Sequence, residues 1–188
     1  MSDSSGNLLA NDFTASFTTV VQPPDRIWTD AAAPVVISDE DTNPVELGLK
    51  FRSSVAGQVL GVRFYKGPEN LGIHTGNLWT DSGTLLASVT FTNETAAGWQ
   101  AQAFSTPVAI NSNTTYVVSY HAPSGRYSKT EGYFATSGVT NYPLRALKNG
   151  EDGPNGVFGY GPSGFPTNGY LRSEEHTSDL QSPNTISY

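Results

Sequence analysis

From Val45 to Arg52 apolar and polar residues alternate: Val45, Leu47, Leu49 and Phe51 against Glu46, Gly48, Lys50 and Arg52. Successive side chains of a strand leave opposite faces, so this period of two predicts a half-buried strand. Ser53 to Gly57 turns the chain, and Gln58 to Tyr65 alternates again, Leu60, Val62 and Phe64 against Gly61, Arg63 and Tyr65. The two strands are expected to be neighbours in one antiparallel sheet, with the Arg63 and Lys66 cations on a solvated face. A loop rich in Gly, Pro and Asn follows, carrying His74, before an apolar strand resumes at Leu78 and Trp79.

Further along, Asp81-Ser82-Gly83 supplies a tight turn in which Gly takes positive φ. Strands are predicted over Ala87 to Phe91, Trp99 to Phe104 and Tyr116 to His121, with turns at Asn93 to Gly98 and Asn111 to Asn113 and Pro107 at a sheet edge. Six to eight short strands separated by turn signals, with no amphipathic helix, predict an all-β fold: an antiparallel β-sandwich, jelly-roll or immunoglobulin-like. The preceding residues 1–31 read as a linker or the tail of a preceding domain, with one short strand around Phe13 to Val21 and Trp28 packed on the sandwich.

Composition sharpens this picture. Charged residues make up 14% of the 188 residues, and 19 Gly and 12 Pro punctuate the chain. The net charge of −7 argues against a phosphate-neutralising surface, so nucleic acid is excluded as a partner. There is no Cys for a disulfide, a thiolate nucleophile or a Cys-ligated metal, and no apolar run long enough for membrane insertion. Met1-Ser2-Asp3-Ser4-Ser5-Gly6 is no signal peptide.

Between Ala122 and Tyr170 ten Gly and five Pro are interleaved with eight aromatics. So many aromatics argue against disorder. Short strands are expected around Tyr133-Phe134 and Val157 to Tyr160. An exposed Tyr stacks on the apolar face of a sugar while amides and carboxylates bond its hydroxyls. Tyr127, Tyr133 and Tyr160, with His121 at a strand end, are therefore the candidate ligand-binding residues. The alternative is that these aromatics fill a second small core and that His121 bonds a loop carbonyl. Asp39-Glu40-Asp41-Thr42-Asn43-Pro44 is either a solvated turn or half of a structural calcium site; no other cofactor or metal is indicated. An enzyme is the weakest reading. No zinc-protease or hydrolase motif is present, no catalytic residue is assigned, and Glu131 and Glu151 form a glycosidase pair only if they face each other across a cleft.

Several motifs together resemble one bacterial family: VELGLKF at 45–51, GVRFYKG at 61–67, HTGNLW at 74–79, GWQ at 98–100, TYVVSYHAP at 115–123, GYF at 132–134 and NGVF at 155–158. They are similar to the family called domain of unknown function 4082, over about residues 32–170. The resemblance implies a β-sandwich accessory module of a secreted or cell-surface multidomain protein, and it implies no catalytic residues. Its partners are then neighbouring domains of the parent chain and a polysaccharide or cell-surface glycan, or, for a spacer or adhesin module, no ligand at all. An exposed row of aromatics on one face is the feature that separates these readings. Residues 172–188 resemble a translated sequencing adapter, with RSEEHTSDLQS at 172–182. The sandwich module is accordingly set at residues 32–171 of a metagenomic fragment. Relatives continue into a final apolar strand, so the chain is expected to lack that strand and to leave its neighbour's edge unpaired.

Overall fold

A computed structural model describes residues 24–169 and the backbone of 185–187; the expected strand around Phe13 to Val21 lies outside them. Eleven strands are present among the described residues: β1 (Val45–Ser53), β2 (Gly57–Lys66), β3 (Thr75–Thr80), β4 (Leu85–Thr90), β5 (Gly98–Ile110), β6 (Tyr116–Ala122), β7 (Val139–Asn141), β8 (Leu144–Ala146), β9 (Gly156–Tyr160), β10 (Asn168–Gly169) and β11 (Thr185–Ser187). They form two antiparallel sheets. The large one runs β10-β9-β1-β6-β3-β4, with the β7–β8 hairpin added beside β1, and the small one runs β11-β2-β5. One edge of β1 is shared, since Val45–Leu49 pairs with β9 and Phe51–Ser53 with β8.

The inner faces meet in one core. Val45, Leu47, Leu49 and Phe51 of β1, Val118 and Tyr120 of β6 and Leu78 of β3 pack against Val59, Val62 and Phe64 of β2. Phe64 stacks on Tyr120 with ring centroids 4.3 Å apart. The sheets approach closely at Gly76, where a Cβ would stand 3.0 Å from the Val62 Cβ.

The structure corrects four expectations. β1 and β2 are not sheet neighbours: the turn between them carries the chain from one sheet to the other. The pairing of β2 with β5 shifts between Val59 and Gly61, where Leu60 stands opposite the four residues Phe104–Pro107. That bulge puts Val59, rather than Leu60, in the buried set with Val62 and Phe64, and it lodges Pro107 in an edge strand. Tyr133-Phe134 lies in a turn, because Ala135 N–H bonds back to the Gly132 carbonyl. Arg63 and Lys66 are buried instead of solvated. Thr185–Ser187 pairs with Gly61–Arg63 of β2, so that stretch of edge is occupied. Ile27 and Trp28 belong to the core, as expected for Trp28.

Candidate functional site

The outward face of the large sheet carries the densest polar constellation. Cross-strand register places Glu46 opposite His121, and His121 opposite Thr75; in the next row Gly48, Ser119 and Asn77 are aligned. Gly48 has no side chain between these rows, and a Cβ there would meet the Val118 carbonyl at 2.9 Å. The Glu46 carboxylate reaches across. Oε1 accepts from Ser119 Oγ at 2.5 Å and Asn77 Nδ2 at 2.8 Å, and Oε2 accepts from Ser163 Oγ at 2.9 Å. Trp79 Nε1 donates to Ser119 Oγ, and His121 Nε2 donates to the Gly161 carbonyl.

The chain from Gly161 to Phe165 thus lies over the face, bonded through Gly161 and Ser163. Phe165 closes a small apolar cluster with Trp79, Val117 and Val157. Burial pushes the Glu46 carboxyl above its usual pKa, against the pull of Ser119, Asn77 and Ser163 and the field of His121. A perturbed, buried carboxylate is the kind of group found at functional sites and also in structural networks. Among the described residues the partners of Glu46 are donors from β3, β6 and the 161–165 segment, so its chemistry is that of a clamp. At the far end of the same face Asp152 accepts from Thr115 Oγ1 at 2.5 Å and pairs with Arg52 at 3.0 Å. These bonds hold its carboxyl below the usual value despite burial.

The four expected site residues do not converge. Tyr127 is fully buried in the core and is no sugar platform; burial pushes its hydroxyl pKa up. Tyr133 is 36% exposed, but its ring packs on Trp28 and Phe134, and its hydroxyl accepts from Trp28 Nε1 at 2.7 Å. Tyr160 is 50% exposed and donates to Asp41 Oδ2 at 2.6 Å; burial and that bond push its pKa up to about 12. The most exposed tyrosine among the described residues, Tyr142 at 72%, sits in the β7–β8 turn. β8 pairs with the Ser53 end of β1 and Tyr160 with the Val45 end, so Tyr142 and Tyr160 are separated by roughly 26 Å of strand.

The remaining candidates are engaged as well. Asp39 pairs with buried Lys129 at 2.7 Å, and Asp41 accepts from Asn43 and Tyr160. Among the described residues no group of three or more His, Cys, Asp or Glu is placed to hold a metal ion. Glu131 lies beside Lys129, while Glu151 pairs with Arg145 and accepts from Lys148 N–H. His74 is fully buried, its Nδ1 on both oxygens of Glu94 at 2.9 Å and Nε2 at 2.8 Å from Asn70. Lys66 Nζ completes that group, 2.7 Å from Glu94.

Sequence reading missed Glu46, Asn77, Ser119 and Ser163 as a network. Glu46 and Asn77 sit at the polar phase of their strands, which reads as solvent-facing. The neighbouring Gly48 is the one local hint, since a glycine inside a strand often marks a close approach.

Fold and site together define an antiparallel β-sandwich domain with its outer face partly covered by its own chain. The protein belongs to the family described as domain of unknown function 4082, whose model matches residues 31–175. No curated protein matches the chain.

Proposed function

We propose that the protein is a non-catalytic structural module of a secreted bacterial multidomain protein, holding its neighbours apart at the cell surface. The observation that supports this reading is the fate of the aromatics. A sugar platform needs two or three exposed rings on one face, whereas Tyr127 is core, Tyr133 is built onto Trp28, and Tyr160 is tied to Asp41 at the opposite end of β1 from Tyr142. Several carboxylates are likewise tied to cations or hydroxyls of the protein itself. A spacer is served by this internal use of polar groups, because loops fixed to the sheets transmit a defined distance between the ends.

A screen of the folded protein against neutral polysaccharides tests the reading. The expected result is no retention that depends on Tyr133 or Tyr160. Retention abolished by Tyr160→Phe in a protein of unchanged melting temperature would overturn it in favour of a glycan-binding module.

A further inference from the structure

The outward face of the small sheet carries a second buried charge. Arg63 extends from β2 with only 4% of its side chain exposed. Its guanidinium lies over Trp99, 4.4 Å from the ring centroid, and Nη2 donates to Asp30 Oδ1 at 2.5 Å. Arg26 donates to the same Asp30 carboxylate at 2.6 and 2.8 Å. The two guanidinium groups are therefore held within roughly 5 Å of each other around one oxygen. One carboxylate serves two cations, which leaves a net positive charge in a protein of net charge −7.

Two donors of this pair are unmatched. Arg63 Nη1 and Arg26 Nε are buried and have no hydrogen-bond partner among the described residues. Buried N–H groups of this kind are costly to leave unmade, the more so on a cation. Both side chains line the same pocket, about 290 Å³ in volume, with Pro24, Leu60, Gly61, Val62, Ala101 and Ala103 among its other walls. A simple pin for the 24–32 segment would need one guanidinium and no cavity.

We propose that Arg26 and Arg63 form a binding site for the carboxylate of a small acidic ligand, of the size and chemistry of one uronic acid unit. The planar fork of a guanidinium matches a carboxylate. The volume lies near the small end of ligand clefts, which suits a single ring. This site is separate from the tyrosines and does not depend on their role.

The test is a titration of the full chain with sodium glucuronate, followed through the Trp99 indole N–H resonance. Glucose and sodium sulfate are titrated in parallel at constant ionic strength. Glucuronate is expected to give a saturable shift and glucose none. Arg26→Met should weaken binding roughly tenfold or more, the value of a charge-assisted hydrogen bond. Asp30→Asn frees both guanidinium groups and should tighten it, a gain that a merely structural pair would not give. Four results would overturn the proposal: no saturable shift, equal shifts with glucose, sulfate binding as tightly as glucuronate, or folded Arg26→Met and Asp30→Asn proteins that bind like the parent.

Discussion

Glu46 shows what one side chain does when its strand is covered on both faces. Its polar phase in β1 is what a solvent-facing residue has, yet the 161–165 segment encloses it. Because its folded pKa is raised, the folded state binds the proton more tightly than the unfolded chain. Stability contributed by the protonated form is therefore complete below the usual value of 4.5 and is lost as pH rises through the folded value. Thermal melts of Glu46→Gln should lack this decline, and an identical pH profile in the two proteins would show that Glu46 is not the titrating group. Gly48 matters for the same network. An added Cβ would meet the Val118 carbonyl at 2.9 Å and the Ser119 Cβ at 3.0 Å. Gly48→Ala is expected to cost about 1–3 kcal/mol in urea unfolding, the range for overpacking a closed site.

At the scale of elements, the alternation of β1 and β6 was legible because their inner faces are uniformly apolar. Sheet membership was not legible. Period two gives a strand's two faces but not its partner, and the short turn Ser54–Ala56 suits a hairpin as well as a crossing between sheets. The β5 bulge was hidden for a related reason. Pro107 signals an edge, but nothing local says that Phe104–Pro107 stands opposite a single residue. The loop between β2 and β3 is anchored by His74, Glu94 and Lys66. Two oxygen acceptors flank the imidazole, yet burial outweighs them and holds its pKa below 6.5. The unfolded chain thus takes up a proton before the folded one does, and stability is lost as pH falls from 6.5 toward the folded value. Urea midpoints of the parent should drop across that window, and those of His74→Asn should not. An equal drop in both would move the effect elsewhere.

For the whole molecule, one device recurs on both sides of the sandwich. Each sheet buries a charged residue on its outward face, Glu46 on the large sheet and Arg63 on the small one, and each anchors an irregular segment. This explains why the apolar core could be read from the chain while the covered polar network could not. Sequence patterns distinguish apolar from polar faces, and here polar residues are covered too. Within the aromatic stretch from Ala122 to Tyr170, rings fasten Trp28, the Asp41 turn and the 161–165 segment. His121 took the structural option, bonding the Gly161 carbonyl.

The most direct measurement places Tyr133→Phe and Tyr160→Phe beside the parent, with thermal unfolding and retention on neutral polysaccharides read from the same samples. Loss of the hydroxyl contacts to Trp28 and Asp41 should lower stability by about 1 kcal/mol in each variant. No retention in the parent should depend on either hydroxyl. Unchanged melting with loss of a specific polysaccharide would contradict the structural role and place a glycan site on these tyrosines.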